Sequence, residues 1–188
     1  MSTKVKTGKV RLSYTQLFEP KAIDGGAPKY SVTLLIPKSD TATVNAIKAA
    51  MNEAAENFRK KHGTAALPAQ PITPLHDGDG LKPSSGEPYG PECKGCYVLA
   101  VSCGASQPPL VVDSFGNDIT NPTEVYSGCY GRAIINFYGY NNRKKGIGAG
   151  LLGIQKLHDG EPLGGARASA DEFMDGFADE SDDDGFMQ

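Results

Sequence analysis

Residues 126–140, YSGCYGRAIINFYGY, combine rings and charges with the two-residue period of a β-strand. Alternation gives one face small and apolar side chains that suit a protein interior: Cys129, Gly131, Ala133, Ile135, Phe137 and Gly139. The opposite face carries Tyr130, Arg132, Ile134, Asn136, Tyr138 and Tyr140. Three tyrosines beside an arginine and an asparagine are too polar for a core, so we expect this second face to be an outer surface.

The charge around this strand indicates a polyanionic ligand. No Asp or Glu occurs in residues 1–18 or 125–158, and these two segments contain nine basic residues. Cations that follow phosphates, with rings on which unpaired bases stack, match the chemistry of a single-stranded nucleic acid. The predicted DNA-binding residues are Lys9, Arg11, Tyr130, Arg132, Asn136, Tyr138, Tyr140, Arg143, Lys144 and Lys145. An ordinary solvated sheet face, with tyrosine hydroxyls in water, is the alternative.

Opposite charges are also sorted along the chain. All 19 Lys and Arg residues lie at or before Arg167, so residues 1–167 carry a net charge of +5 and residues 168–188 carry −8. High charge with few aliphatic residues predicts a disordered tail over 164–188. A tethered polyanion can compete with DNA for a basic surface, and a solubility appendage is the alternative. The tail residues expected to compete or to dock a partner are Asp182, Asp183, Asp184 and Phe186.

The elements that must position these side chains are mainly strands, because 23 Gly and 13 Pro predict many turns. Alternation predicts strands over 5–18, 29–37, 97–102 and 147–158, and a possible edge strand over 109–113. Tyr14 is expected to share the half-buried face of the first strand with Val10 and Leu12. Helical spacing predicts one helix over 41–62, capped by Ser39 or Asp40. A long loop over 63–95 follows, and residues 1–163 are expected to form one domain.

The order of these elements, ending in YSG, INFYGY, KKGIGAGLLGIQKLHDGEPLGG and an acidic tail, resembles the single-stranded DNA-binding proteins of tailed phages. The resemblance extends from about residue 4 to residue 188 and is most specific over 126–164. It implies an OB-fold, a five-stranded Greek-key barrel, with sequence-tolerant DNA binding in replication, recombination or repair. It also implies an acidic C-terminus that docks replication or recombination enzymes. Those proteins often end on an aromatic residue, whereas Met187 and Gln188 follow Phe186 here.

Motifs for other chemistry are incomplete. Cys93, Cys96, Cys103 and Cys129 are enough sulfurs for a zinc site, but there is no second CxxC, and unligated thiols are favoured. HDGDG at 76–80 does not complete a calcium loop, and turn chemistry explains its Asp-Gly steps. GIGAGLLG lacks the lysine of a phosphate-binding loop. We therefore expect no metal, no cofactor and no enzymatic activity.

The N-terminus lacks the apolar stretch of a signal peptide, and no segment is apolar enough to span a bilayer. The expected location is the cytoplasm of an infected bacterial cell, with no membrane partner. A monomer and a homodimer both remain open. The alternative function is a phage structural or interaction protein of β-rich fold whose acidic tail docks a partner.

Overall fold

The structure is a computed structural model that describes residues 2–22 and 25–163. The predictions for residues 164–188, and so for Asp182, Asp183, Asp184 and Phe186, fall outside the described residues. The helix and strands are β1 (Lys4–Lys6), β2 (Val10–Lys21), β3 (Lys29–Pro37), α1 (Thr41–His62), β4 (Leu75–Asp77), β5 (Cys96–Gly104), β6 (Leu110–Val112), β7 (Tyr130–Asn141) and β8 (Lys145–His158). Short 3-10 turns occur at Thr64–Ala66, Pro91–Cys93 and Pro122–Glu124.

Five of these strands close into a barrel in the order β2, β3, β5, β8, β7. The pairs are antiparallel except β5 with β8, which run parallel, and β7 completes the ring by pairing with β2. This closed Greek-key arrangement is an OB-fold, as predicted. The edge strand predicted over 109–113 corresponds to β6, which lies beside β8 at the end of the sheet.

The barrel interior holds alternating apolar side chains from every wall strand. On β3 and β7 the inward residues are those that alternation predicts. Burying one such side chain contributes about 1.5–3 kcal/mol, so this core is the main source of stability. Its fully buried members include Val10, Leu12, Val32, Leu34, Leu99, Val101, Ile135, Phe137 and Ile154.

The helix α1 spans the predicted residues and covers one end of the barrel, with Val44, Ile47 and Met51 buried. It approaches β7 so closely that a Cβ on Gly139 would lie 2.6 Å from the Cβ of Phe58. Gly139 therefore allows the helix to seat on the strand. None of the helices in the described residues is long and apolar enough to cross a bilayer.

Asp40 caps α1 and ties the helix to the N-terminal segment. Its carboxylate accepts hydrogen bonds from the Thr43 backbone N–H at 3.2 Å and the Thr43 hydroxyl at 2.6 Å. The Thr43 hydroxyl in turn accepts the N–H of Gly8 at 2.9 Å. The single strand predicted over 5–18 is divided at this point into β1 and β2. At the division the N–H of Gly8 bonds to the helix start, whereas the preceding Thr7 still bonds to Ala133 of β7.

The predicted loop over 63–95 contains β4, a short strand that hydrophobic periodicity did not indicate. Lys38 holds it, with Nζ 2.6 Å from Asp77 Oδ1 and 2.7 Å from Asp79 Oδ2, and Asp79 also accepts the N–H of Gly95. The hydrogen bonds from Lys38 lower the pKa of both carboxyl groups. The HDGDG motif thus clamps β4 against β5.

Replacing Asp40 with Ala should destabilise the protein by about 1 kcal/mol, because the N-cap acceptor is lost. For a chain of this length the melting temperature should fall by about 2–4 °C. Thermal unfolding measures the change, and Asp40→Asn, which keeps a capping oxygen, is the matched control. Equal melting temperatures for Asp40→Ala and the wild type would show that the cap contributes nothing.

Replacing Lys38 with Met should lower the melting temperature at pH 7, and the difference should shrink at pH 3. The carboxyl groups of Asp77 and Asp79, which bind Lys38, have a depressed pKa in the folded state. Their contribution to the stability of the folded state is complete above the ordinary pKa of 3.8, and it is lost as the pH falls through the pKa of the folded state. Lys48, which lies over the same Tyr97 ring as Lys38, supplies the control variant Lys48→Met. A difference of equal size at both pH values would contradict the clamp.

Candidate nucleic-acid interface

The predicted outward set of β7 does lie outside the barrel. Phe137 and Ile135 are 1% and 0% exposed, whereas Tyr138 is 47% exposed and Arg132 is half-buried. The β7 face, meaning Tyr130, Arg132, Ile134, Asn136, Tyr138 and Tyr140, therefore has the orientation that alternation predicts. Its residues fall into three separate environments along the strand.

At the Tyr130 end of the β7 face, two of the predicted cations lie close to the Tyr130 ring. Lys9 Nζ and the Arg11 guanidinium each lie 5.5 Å from the centre of its ring, at the outer limit for a cation–π contact. His158 packs on the same ring with 4.7 Å between centroids. Lys9, Arg11 and Tyr130 are therefore brought together, as the sequence predicts. Within this group the two cations lie over the Tyr130 ring.

In the middle of the β7 face, the polar side chains hold the N-terminal segment. Arg132 Nε donates to the Thr7 carbonyl at 2.9 Å, and the Thr3 hydroxyl donates to Asn136 Oδ1 at 2.9 Å. β1 pairs with this part of β7, and the exposed Lys4 lies opposite Asn136. Arg132 and Asn136 thus have a structural task that strand alternation alone did not reveal.

At the hairpin end, tyrosine rings lie over the glycines of β8. A Cβ on Gly148 would lie 2.5 Å from the Tyr138 ring, and one on Gly146 would lie 2.8 Å from the Tyr140 hydroxyl. The glycine-rich start of β8 therefore makes room for these rings. The cations Arg143, Lys144 and Lys145 are exposed in or beside the turn that follows.

A second surface lies on the outer side of β2, β3 and β5. Two cavities of about 420 and 550 Å³ share Tyr14, Thr33 and Ala100 and together form one depression, here called the trough. β2 bounds one side, and β4 with the following loop bounds the other. The trough is lined chiefly by Tyr14, Lys21, Lys29, Ser31, Thr33, His76, Lys82, Tyr89, Ala100 and Ser102.

The trough combines small floor residues with tyrosine rings and lysines. Thr33 and Ala100 lie opposite one another on paired strands, and both side chains are small. Lys21 and Lys29 line one cavity, and Lys82 lines the other together with the acidic Glu92. Burial lowers the pKa of His76, which favours its neutral form at the trough wall. Such a surface can accept the flat rings of unpaired bases while the nearby cations interact with the phosphates of the same strand.

Tyr14 corrects the alternation predicted for the first strand. It was expected on the half-buried face with Val10 and Leu12, but its side chain is 72% exposed. The pairing of β2 with β3 shifts between Ser13 and Gln16, which places an extra residue on β2. This β-bulge reverses the phase of the strand, so Leu17 becomes buried in place of its even-numbered neighbours. Strict alternation would place the apolar Leu17 outside the barrel. This unfavourable position was the signal in the sequence that could have indicated the bulge.

The segment after β8 is pinned along the outer surface of the body. We call residues 159–163 the C-terminal strap. Asp159 accepts the Tyr126 hydroxyl at 3.0 Å and lies 2.6 Å from Lys156 Nζ. Arg11 donates to the Glu161 carbonyl at 2.6 Å, which fixes the middle of the strap. Residues 159–161 of the HDGEPL sequence thus attach the chain to the body.

The strap ends at the trough. Leu163 packs against an apolar cluster of Leu35, Cys93 and Val98, and its N–H donates to the Ser127 carbonyl. Leu35, Cys93 and Val98 also line the cavity of about 420 Å³. The described chain therefore ends beside the trough, and residues 164–188 continue from this point.

The four cysteines lie in different surroundings. Cys129 is in the barrel core, Cys93 is in the cluster beneath Leu163, and Cys103 is on β5. Burial raises the pKa of all four thiols, including Cys96, and all four are free. Within residues 2–22 and 25–163, no group of three or more metal-binding side chains comes together.

Comparisons with known proteins identify the family. The model of the Enterobacter phage Enc34 ssDNA-binding protein family matches residues 3–187. Putative protein p50 of Acyrthosiphon pisum secondary endosymbiont phage 1 is 36% identical over 180 residues, which cover 92% of this chain and 93% of that protein. The single-stranded DNA-binding protein from bacteriophage Enc34, solved in complex with ssDNA, is 35% identical with a TM-score of 0.69, covering 86% of this chain and 90% of that one.

A more distant structure agrees in fold. The single-stranded DNA-binding protein gp2.5 of bacteriophage T7 has a TM-score of 0.57 at 16% identity, covering 93% of this chain and 94% of that one. At this level of identity the similarity shows a shared fold alone. With the family model matched over almost the whole sequence, the chain belongs to the phage single-stranded DNA-binding protein family of Enterobacter phage Enc34.

Proposed function

We propose that this protein binds single-stranded DNA without sequence preference and that the trough is the main contact. The observation that carries the proposal is the trough itself, in which small floor residues lie beside the exposed ring of Tyr14 and lysines are among the lining residues. β3 and β5 are the second and third strands of the barrel, and that face is where OB-folds bind oligonucleotides. The relative from phage Enc34 was solved with ssDNA bound, which supports the same ligand class here.

The ten residues predicted from the sequence form the second part of the proposed surface. Arg11 is paired with Leu35 at the end of the trough on one side and with Tyr130 on the other. A strand leaving the trough can therefore cross Arg11 and continue along the β7 face toward Tyr138 and the exposed cations of the hairpin turn. Stacking on a ring contributes about 1–3 kcal/mol per base, with little preference among bases.

The protein should bind fluorescent oligo(dT) with an affinity that falls as salt rises. The log–log slope should be about −0.7 per phosphate neutralised, because each contact releases condensed counterions. Titration by fluorescence anisotropy at several salt concentrations measures the slope. Absence of binding at low salt would reject the proposal and favour a phage structural or interaction protein.

Two sets of variants locate the contact in the same assay. Replacing Lys21, Lys29 and Lys82 with Ala should weaken binding. The salt slope should become shallower by the equivalent of up to about three phosphate contacts.

Replacing Tyr138 and Tyr140 with Ala should weaken binding with little change in melting temperature. Loss of binding from the second set alone would place the DNA on the β7 face and not in the trough.

We place this binding in phage DNA replication, recombination or repair, in the cytoplasm of the infected bacterial cell. The protein acts as a binder and not as an enzyme. The acidic tail, including Asp182, Asp183, Asp184 and Phe186, docks replication or recombination enzymes. In the absence of DNA it occupies the basic surface, and it therefore competes with incoming DNA. Two observations support competition: the tail carries −8, and the described chain ends with Leu163 at the trough. A short tether gives such a segment a millimolar effective concentration.

Deleting residues 168–188 should tighten oligo(dT) binding by about tenfold or more at low salt, because the tethered competitor is removed. The gain should shrink as salt rises, since screening weakens the contact of the tail with the body. The same titration applied to the full chain and the deletion variant measures both effects. The matched control is a tail of full length in which every Asp and Glu is replaced by Asn or Gln. Unchanged affinity in the deletion variant would leave the tail as a solubility appendage.

A further inference from the structure

Tyr14 stands out because its backbone conformation is unfavourable. Its φ of 48° is the only positive φ at a non-glycine residue in the described part of the chain. The left-handed region brings Cβ close to the following carbonyl, so side-chain-bearing residues seldom adopt it. Glycine would adopt this conformation without the clash, and asparagine tolerates it better than tyrosine does. A tyrosine retained here therefore needs a reason beyond the turn of the chain.

Packing of the Tyr14 ring does not supply that reason. The side chain is 72% exposed, and it belongs to neither apolar cluster of the described residues. The bulge itself has a structural result, since it places Leu17 in the core at 4% exposure. That result needs the backbone conformation but not a ring at position 14. Strained backbone of this kind is concentrated at functional sites.

The position of the ring indicates what it does. Tyr14 lines both cavities of the trough, so this residue lies where the two cavities meet. The facing floor residues are Thr33 and Ala100, whose small side chains leave room above the sheet. A flat ring can therefore approach Tyr14 within either cavity, between the lysines at the two ends of the trough.

We infer that Tyr14 is a stacking platform for unpaired bases, held outward by the bulge in β2 at a cost in backbone strain. This inference rests on the proposed binding of single-stranded DNA and assigns a central contact within it. The bulge turns the Tyr14 side chain away from the barrel core and toward the trough. Binding and stability should then respond in different ways to the same substitution.

The test compares Tyr14→Gly with Tyr14→Phe in the full-length chain. Tyr14→Gly should weaken oligo(dT) binding by about tenfold or more, because one stacked base contributes about 1–3 kcal/mol. Its melting temperature should equal or exceed that of the wild type, because glycine accepts the left-handed backbone. Tyr14→Phe should keep wild-type affinity. Phe115→Ala, which removes a ring that is 88% exposed outside the trough, should change neither quantity.

An abasic oligonucleotide of the same length separates stacking from other contacts. On this probe the wild type and Tyr14→Gly should bind equally, because no base is present to stack. A tenfold difference that persists on the abasic strand would overturn the inference. A fall in melting temperature of more than about 4 °C would also overturn it, since the ring would then be structural.

Tyr14→Asn repeats the comparison with a second residue that tolerates the left-handed region, in case the glycine variant folds poorly. Wild-type affinity for oligo(dT) in a folded Tyr14→Asn variant would again overturn the role of the ring. A wild type that binds no oligo(dT) rejects the proposed function, whereas a wild type that binds while Tyr14→Gly binds equally well rejects only the stacking role.

Discussion

Closure of the barrel is the constraint on which the other features depend. Because β7 pairs with both β8 and β2, every side chain of the wall strands faces either a shared core or the outside. The apolar set of β7 can therefore be buried only if Tyr130, Arg132 and Tyr138 face outward. Closure also makes the outer faces of β3 and β5 one continuous surface, which forms the floor of the trough. The positions of rings and charges on the outer surface follow from the packing of the interior.

Glycines and one bulge adjust this regular pattern where the wall must deviate. Gly139 admits Phe58 of the helix, and Gly148 admits the ring of Tyr138. The bulge in β2 reverses which side chains face the core, placing Leu17 inside and Tyr14 outside. Each deviation moves an aromatic ring to a place that strict alternation or a larger residue would forbid. Local irregularity thus determines where aromatic surface is available on an otherwise regular barrel.

The C-terminal strap connects the two charged parts of the chain. Arg11 contacts Tyr130 and also holds the carbonyl of Glu161, so one cation belongs to both the β7 face and the strap. Leu163 then covers part of the apolar floor at the end of the trough. The sequence that continues from residue 164 carries most of the acidic charge, with −8 over residues 168–188 against +5 over residues 1–167.

Local pattern was sufficient for several features. The helix over 41–62, a cap at Ser39 or Asp40 and the inward face of β7 follow from periodicity and short-range signals, and the structure selects Asp40 as the cap. These predictions succeed because the physical cause lies within one element, in capping, amphipathic spacing or alternation. The charge division between body and tail is likewise a property of the sequence alone.

Other features depend on residues that are distant in the chain. The trough floor joins β3 to β5, more than 60 residues later, and its wall comes from a loop without periodicity. Arg132 and Asn136 bind the N-terminal segment, a contact between opposite ends of the domain. The exposure of Tyr14 depends on how β2 pairs with β3, since one extra residue reverses every side chain after it. Only the tertiary structure decides such features, because they arise from pairing and packing between separate elements.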